Sequence, residues 1–276
     1  MPTQAEKAAR FLALHRRPEP FVVANPWDAG TARILTGLGF EALSTTSAGL
    51  AFTLGRRDGT ASVSRAEALA NAKDIAEATA LPVAADLENG YGHRPEEAAE
   101  TIRLAAETAG LVGGSIEDAT GDPAHPIYEF DHAVERVAAA AAAARKLSFP
   151  FMFVARAENY LHGRPDLDDT IRRLQAFEAA GAEVLYAPGI TSPEDIRTVC
   201  ASVTRPVNVL MGLKGVPMLT LKELGALGVK RVSLGSGFAR AAMTAFLHAA
   251  REVREQGTFT FTEETMYMSE IAALFG

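Results

Sequence analysis

Two acidic side chains, Asp86 and Glu88, end an apolar segment in the stretch PVAADLENGYGH, residues 82–93. A buried carboxylate is costly unless it is paired, hydrogen-bonded or bound to a metal, so we expect a cation here. Glu117 and Asp118 end a second apolar segment, LVGGSIED. Carboxylates from two strands, without histidines in a zinc-ligand spacing, favour a hard cation such as Mg²⁺, which prefers oxygen ligands. A helix cap or a salt bridge to the next helix is the alternative for Asp86 and Glu88.

An arginine, Arg156, ends the apolar segment FMFVAR. A guanidinium at a strand end presents a planar fork that matches a carboxylate or a phosphate. The same charge could also neutralise the acids of neighbouring strands, and the two roles are compatible. The sequence therefore predicts an anionic substrate beside the acids.

Hydroxyl-bearing and small residues follow another apolar segment, in STTSAGL, residues 44–50. Backbone amides in such a turn can hold a carboxylate or an oxyanion; an ordinary strand-to-loop turn is the alternative. LGSGFAR, residues 234–240, could hold a phosphate at a helix N-terminus, although close packing of its glycines is the favoured interpretation. The residues predicted to contact substrate here are Thr46, Ser47, Ala48 and Gly49, together with Asn208 at another strand end.

Two long segments, AFTLGRRDGTASV (51–63) and ATGDPAHPIY (119–128), follow predicted strand ends. Long loops at the mouth of a sheet often act as lids over an active site. Asp58 lies in the first loop, and His125 and Tyr128 lie in the second, where either could donate a proton. Solvated loop residues are the alternative, and this is the better interpretation for Asp122.

Eight short apolar segments alternate with longer segments of helical spacing, which is typical of a parallel sheet covered by helices. Eight strand–helix units predict a closed (β/α)8 TIM barrel, whose active site lies at the carboxyl ends of the strands. A doubly wound open sheet is the alternative, but NPWDAG after the first strand lacks its glycine fingerprint. The predicted strands are 21–25, 41–46, 82–87, 111–118, 151–156, 183–188, 206–210 and 231–236, and the predicted helices are 28–38, 64–79, 95–109, 129–147, 168–181, 192–202, 219–227 and 237–256.

The composition excludes some classes of protein. The chain has 276 residues, with 27 basic against 34 acidic side chains and a formal charge of −7, so it lacks the basic excess of a nucleic-acid binder. No apolar run approaches the ~18 residues of a membrane span. The N-terminus has the pattern of an amphipathic helix rather than of a signal peptide. The one cysteine, Cys200, fits a reducing cytoplasm.

No linker or composition shift divides the chain, so we predict a single barrel domain over residues 1–276. The tail, 258–276, is predicted to form an extra helix after the barrel has closed. Its apolar side chains need a surface to pack on, and a neighbouring subunit would provide one. The sequence thus predicts a homo-oligomer.

Four motifs together, LGRRDG, DLENGYG, IED and FVARAEN, resemble those of the isocitrate lyase/phosphoenolpyruvate mutase superfamily in order and spacing. The resemblance extends over essentially the whole chain. It implies a (β/α)8 barrel that binds Mg²⁺, with Mn²⁺ as an alternative ion, and acts on 2-oxo acids or related carboxylates. Members of the superfamily make or break C–C or P–C bonds through an enolate-like intermediate. The resemblance also implies a tetramer or dimer with exchanged C-terminal helices.

The resemblance assigns roles by position. Asp86 resembles the direct metal ligand, and Glu88 and Glu117 resemble the acids that bind metal through water. Asp58 resembles the acid of a loop that closes near the metal, and Arg156 resembles the arginine on the substrate. The turn from Thr46 to Gly49 resembles the segment that holds the substrate's carboxylate and carbonyl oxygens, with Asp86 also near the substrate.

The second loop departs from the superfamily pattern. It has neither the catalytic cysteine of the Lys-Lys-Cys-Gly-His lid nor the lysine or asparagine lid of the phosphonate enzymes. We therefore expect a magnesium-dependent lyase on a small 2-oxo dicarboxylate, such as an oxaloacetate decarboxylase, with His125 or Tyr128 as the proton donor. A P–C bond hydrolase or mutase acting on a phosphonate such as phosphonopyruvate, and a non-catalytic 2-oxo acid binder, are the alternatives.

Overall fold

The computed structural model describes residues 1–213 and 217–275. Its centre is a closed barrel of parallel strands, in which each strand pairs with the next along the chain and the eighth pairs with the first. Closure brings the C-terminal ends of all the strands to one mouth. The strands are β1 Phe21–Ala24, β2 Ala42–Ser44, β3 Val83–Asp86, β4 Gly113–Glu117, β5 Met152–Arg156, β6 Val184–Tyr186, β7 Val207–Leu210 and β8 Arg231–Ser233.

The barrel is surrounded by helices. The predicted (β/α)8 barrel is therefore confirmed, and each predicted strand is present in a shortened form. The helices are α1 Gln4–Arg16, α2 Ala29–Gly37, α3 Ser47–Thr53, α4 Arg65–Glu77, α5 Pro95–Ala109, α6 Phe130–Arg145, α7 Leu167–Ala180, α8 Pro193–Ser202, α9 Leu221–Ala226, α10 Gly237–Gln256 and α11 Met268–Ala273.

Local sequence signals explain where helices start and stop. Ser64 caps α4: its hydroxyl accepts from the Glu67 amide at 3.3 Å, and its own amide donates to the Glu67 carboxylate at 2.9 Å. Gly110 ends α5 in the left-handed conformation, with φ of +68°, which glycine adopts without a Cβ penalty. These signals fix the length of each connection and hence the position of the next strand.

Two apolar layers hold the barrel together. Alternate strand residues face in opposite directions, so Ala155 packs against the helices while its neighbour Val154 packs inside the barrel. The interior layer includes Phe11 and Leu14 of α1, beside the strand-start residues Phe21 and Met152. The amphipathic N-terminal helix thus packs against the start of the barrel interior, opposite the mouth.

One helix near the mouth departs from the sequence expectation. The turn STTSAGL and the start of the first long loop form helix α3, because the Thr46 hydroxyl accepts a hydrogen bond from the Gly49 amide at 3.2 Å and caps it. Seven helical residues in a small, alanine- and glycine-containing segment give too short a periodic pattern to detect.

The C-terminal region lies outside the barrel. Instead of one tail helix over 258–276, the chain forms a short 3-10 helix, Thr260–Glu264, and α11; Gly276 lies outside the described residues. Of the 20 residues of α10, only Ala239 is buried. Phe246 on α10 and Met268 on α11 are 75% and 80% exposed. Among the helices of the described residues, none combines the length and the apolar character that crossing a membrane requires.

Candidate active site

Arg156 lies at the centre of an acidic cluster at the mouth of the barrel. β3, β4 and β5 are neighbours, so their last residues share this mouth. Arg156 Nη1 donates to Asp86 Oδ1 at 2.9 Å, and Nη2 lies 3.2 Å from Glu117 Oε2. Its Nε donates to Glu158 Oε1 at 2.8 Å. The Arg156 side chain is 12% exposed, so water screens these ion pairs poorly.

Asp86 is held from a second side by α3. The Ser47 hydroxyl donates to Asp86 Oδ2 at 2.8 Å, and the Ser47 amide donates to the same oxygen at 3.3 Å. Thr46, by capping α3, places Ser47 at the first helical position. The predicted strand-two turn therefore reaches the acidic cluster through Ser47, whose amide and hydroxyl both contact Asp86.

The loop after β3 adopts an unusual backbone conformation. Glu88 and Tyr91 have φ of +46° and +57°, a region that costs a non-glycine residue about 1 kcal/mol or more. The Glu88 carbonyl accepts from the Glu117 amide at 2.9 Å, which ties this loop to the end of β4. Such strain persists only where surrounding contacts enforce it, and it is concentrated in functional sites.

The acids at the mouth outnumber their cation. Arg156 contacts three carboxylates, and two more, from Asp58 and Glu88, lie close enough to repel Asp86. Burial, then the charges of Asp86 and Asp58, raise the pKa of Glu88 to about 7. Burial also raises the pKa of Glu117 well above its usual range. Among residues 1–213 and 217–275, the one guanidinium in contact with these acids therefore leaves an excess of negative charge in the cluster.

The loop residue Asp58 belongs to this acidic group. It is exposed on the first long loop, yet the protein atoms crowded around it and the charge of Asp86 raise the pKa of its carboxyl. Ser47 and Gly59 are its polar neighbours. Because Ser47 donates to Asp86, Asp58 lies on the same side of the mouth as Asp86.

An additional divalent cation fits this set of donors. Every acid of the cluster offers oxygen, the ligand type that Mg²⁺ and Mn²⁺ prefer. Within residues 1–213 and 217–275, no group of three or more His, Cys, Asp or Glu side chains is arranged as a direct metal cage. This arrangement suits an ion that keeps most of its waters and takes one direct carboxylate. Asp86, Glu88 and Glu117 are the predicted ligands, and their role stays a prediction. Arg156 and Ser47 contact the two carboxylate oxygens of Asp86, and Asp86 is not among the residues that line the cavity over the cluster.

A cavity of about 760 Å³ opens over the cluster, a size typical of small-molecule sites. Asp58, Glu88, Glu117, Arg156 and Ser47 all line it. The segment 119–121 contributes to the wall on the lid side. The wall also carries four other polar or aromatic side chains: Arg65, Tyr91, His93 and His162.

Other predicted residues lie away from this cavity. His125 has an 84% exposed side chain, and its Nδ1 lies 3.3 Å from Asp122 Oδ2 in its own loop. Asn208 is buried and donates to the Ser233 hydroxyl at 2.9 Å. Ala48 is absent from the cavity wall. Their predicted contacts with substrate stay predictions.

Gly49 has a packing role at the start of α3. A Cβ there would lie 2.6 Å from Thr46 Cγ2 and 2.9 Å from Trp27 Cβ, so only glycine fits. Thr46 is buried and its hydroxyl is used by the Gly49 amide. These two residues therefore position Ser47, and their predicted direct contact with substrate is untested.

Two residues that contact Arg156, both at predicted strand ends, were not among the predicted site residues. Glu158 follows Arg156 by two positions, the same spacing as Asp86 and Glu88, and that repeated spacing was a usable signal. The Tyr186 ring lies under the guanidinium, with Arg156 Cζ 5.1 Å from the ring centroid, a cation–π contact. A tyrosine inside an apolar strand carries no such signal in the sequence.

A buried ion pair connects the mouth to the lid loop, residues 119–128. Asp118 Oδ1 accepts from the Glu158 amide at 2.8 Å, and its Oδ2 accepts from Arg173 Nη1 at 3.0 Å. The same Arg173 nitrogen donates to the Tyr128 carbonyl at 3.1 Å. Burial raises the pKa of Asp118 to about 7. Asp118 thus positions Glu158 and the end of the lid loop rather than facing the cavity.

The chain matches a family of known proteins. The family model described as phosphoenolpyruvate phosphomutase matches residues 11–254. An uncharacterized protein of Mycobacterium tuberculosis is 36% identical over 256 residues, which are 89% of this chain and 89% of that protein. The oxaloacetate decarboxylase of Chromohalobacter salexigens is 26% identical over 260 residues, which are 92% of this chain and 88% of that protein.

A solved structure repeats the fold closely. A protein of Burkholderia cenocepacia J2315, provisionally named a lyase/mutase, is 58% identical and superimposes with a TM-score of 0.95. The match covers 99% of this chain and 96% of that one. Sequence and fold therefore agree on the same group of proteins.

Proposed function

The chain belongs to the phosphoenolpyruvate phosphomutase family, within the isocitrate lyase/phosphoenolpyruvate mutase superfamily, and on this premise we propose that it is a magnesium-dependent lyase that cleaves a C–C bond in a small 2-oxo dicarboxylate. Oxaloacetate decarboxylation is the proposed reaction. One observation carries the proposal: an excess of buried carboxylates surrounds a single guanidinium at the C-terminal ends of the strands. Such a site can take both a divalent ion and an anionic substrate.

In this proposal Asp86 binds the ion directly, and Glu88 and Glu117 bind it through water; Mn²⁺ is the alternative ion. The bound ion supplies Lewis-acid polarisation of the 2-oxo group. Burial and then neighbouring carboxylates raise the pKa of Glu88, and burial raises the pKa of Glu117. A positive charge held by these residues would counter both effects.

The chain's own residues hold the substrate. Arg156 offers two or more N–H groups to a substrate carboxylate and to the charge that develops on the 2-oxo oxygen. The proposed substrate contacts also include the Thr46–Gly49 turn and Asn208. In the turn, the Ser47 amide and hydroxyl donate to Asp86 and would have to exchange that partner for the substrate. Asp58, on its loop, approaches the bound molecule when the loop closes and excludes water.

The C-terminal helices suggest how the chain assembles. The apolar side chains of α10 and α11 are exposed to an extent that is unusual for a monomer. We infer a homo-oligomer, a dimer or tetramer, in which these helices pack on the neighbouring subunit. A cytoplasmic location belongs to the same proposal.

A phosphonate reaction is the second candidate, because the matching family model is described by its phosphomutase. The lid loop favours the first, since it has no lysine or asparagine where the phosphonate enzymes were expected to carry one. A binder of 2-oxo acids that does not turn them over is the third.

A substrate panel separates the three. Purified protein with Mg²⁺ is incubated with oxaloacetate and with phosphonopyruvate, and pyruvate, CO2, phosphate and phosphoenolpyruvate are measured with and without EDTA. The proposal expects pyruvate and CO2 from oxaloacetate, abolished by EDTA. Turnover of phosphonopyruvate alone, to phosphate by a hydrolase or to phosphoenolpyruvate by a mutase, supports the second candidate. Tight calorimetric binding of oxaloacetate without product supports the third.

A further inference from the structure

Decarboxylation needs a proton donor that the metal site and Arg156 do not provide. When the C–CO2 bond breaks, its electron pair passes into the carbonyl to give an enolate, whose carbon must then gain a proton. An arginine does not lose a proton at neutral pH. His125, the sequence candidate, lies outside the cavity wall. The side chains that line the cavity are the candidates for this donor, and this inference rests on the proposed function.

Two histidines of the described residues line the cavity, His93 and His162. The His162 ring has no hydrogen-bond partner among residues 1–213 and 217–275, so nothing there fixes its orientation. His93 Nδ1 lies 2.7 Å from the Tyr128 hydroxyl. The His93 carbonyl accepts from His132 Nε2 at 2.8 Å. His93 is thus held at both its ring and its backbone.

Tyr128 is itself fixed in place. It is 7% exposed, and Arg136 Cζ lies 4.4 Å from its ring centroid. Its amide donates to the Asp118 carbonyl at 2.8 Å, at the base of the lid loop. Asn89 Nδ2 approaches the hydroxyl at 3.5 Å. The Tyr128 hydroxyl is therefore a fixed partner for the His93 ring.

The hydrogen bond to Tyr128 occupies Nδ1 of His93. Burial raises the pKa of Tyr128, so its hydroxyl stays protonated. A hydroxyl can accept as well as donate, so its oxygen can hold the Nδ1–H of an imidazolium, whose second proton is on Nε2. Among the described residues, Nε2 has no hydrogen-bond partner. A base held by a third group in this way is the usual arrangement of an acid–base catalyst.

We propose that His93 is the proton donor of this active site and that Tyr128 is its positioning residue. In the step, the substrate C–CO2 bond breaks and CO2 leaves, while the bonding pair forms the enolate. The His93 imidazolium, with its Nδ1–H held by the Tyr128 oxygen, gives its Nε2 proton to the enolate carbon. This yields the 2-oxo acid product and leaves a neutral imidazole. The imidazole regains a proton from solvent, so one proton is consumed for each CO2 released.

Steady-state kinetics of oxaloacetate decarboxylation with Mg²⁺ tests both assignments. H93Q is expected to lose about 100-fold to 10,000-fold in kcat, the usual contribution of general acid catalysis, with KM within threefold of wild type. Calorimetry with oxalate, a stable analogue of the enolate, is expected to give an unchanged Kd. Added imidazole is expected to restore turnover to H93G, which a merely structural role of His93 would not allow.

A double-mutant cycle isolates the role of Tyr128. Y128F is expected to lower kcat about tenfold at constant KM, while H93Q/Y128F loses no more than H93Q, because Tyr128 acts through His93. Y160F is the matched control: Tyr160 lies on the loop after β5, outside the cavity wall, and should leave kcat unchanged. Additive losses in the double variant would overturn the positioning role.

The outcomes separate this inference from the proposed function. If wild type decarboxylates oxaloacetate and H93Q keeps more than a third of its kcat, the His93 assignment is wrong and the proposed function stands. A loss of 100-fold in H125N with normal H93Q activity would also overturn it, in favour of the lid histidine. If wild type turns over no 2-oxo acid, both proposals fail.

Discussion

Replacement of Arg156 by glutamine gives the sharpest stability prediction. The guanidinium has ion-pair contacts of 2.9, 3.2 and 2.8 Å with Asp86, Glu117 and Glu158, and the four side chains are at most 19% exposed. Removal of one partner of a buried ion pair typically costs 3–5 kcal/mol, because the remaining charge is left uncompensated. For a chain of this size, about 1 kcal/mol lowers Tm by roughly 2–4 °C. We therefore expect R156Q to melt roughly 6–20 °C below wild type in EDTA.

The assay is thermal unfolding with and without Mg²⁺, with R205Q as the matched control. Arg205 lies 2.9 Å from Glu183, the same separation, but those side chains are 43% and 39% exposed. Exposed pairs contribute at most about 1 kcal/mol, so R205Q should lose only a few degrees. Mg²⁺ should recover part of the R156Q loss and none of the R205Q loss. Equal losses in the two variants would refute the view that Arg156 is the main cation of the mouth.

Three further predictions concern other parts of the barrel. Burial lowers the pKa of His15 to about 3, so the contribution of this side chain to stability is present above pH 6.5 and is lost as pH falls. Between pH 6.5 and 5, the free energy of unfolding measured with urea should fall by roughly 2 kcal/mol. H15F should not show this loss. Overpacking in G49A should lower the free energy of unfolding by about 1–3 kcal/mol. G37A is the control, because its Cβ would meet nothing within 4 Å, and its free energy of unfolding should be unchanged or slightly higher. D118N should lower kcat while the Kd for oxalate stays near that of wild type, because Asp118 holds Glu158 and the lid loop and does not line the cavity; an unchanged kcat would count against that role.

Much of the fold could be predicted because buried parallel strands have a recognisable sequence pattern. Segments such as FMFVAR are apolar, short and followed by helical spacing, and each of the eight recurs as a strand. The same pattern placed Asp86, Glu117 and Arg156 at strand ends, and the closed sheet brings those ends together. Because local sequence indicates where strands end, the acidic cluster around Arg156 could be predicted from the sequence.

The parts that sequence reasoning missed depend on contacts between distant segments. His93 became a candidate only because the fold brings it to Tyr128, 35 residues away. His125 attracted notice as a histidine in a lid, but its loop turns it toward solvent. Helix α3 is too short for a periodic signal, and its start depends on a cap at Thr46 and a glycine that fits against Trp27.

Direct calorimetric titration with Mg²⁺ of wild type and of D86N tests the central claim, that the surplus of carboxylates at the mouth holds a divalent ion. D122N serves as the control, because Asp122 is an exposed lid-loop acid that does not line the cavity. The account predicts that wild type and D122N bind one Mg²⁺ per chain and decarboxylate oxaloacetate, and that D86N does neither while it remains folded. A D86N protein that binds Mg²⁺ with wild-type affinity would contradict the account.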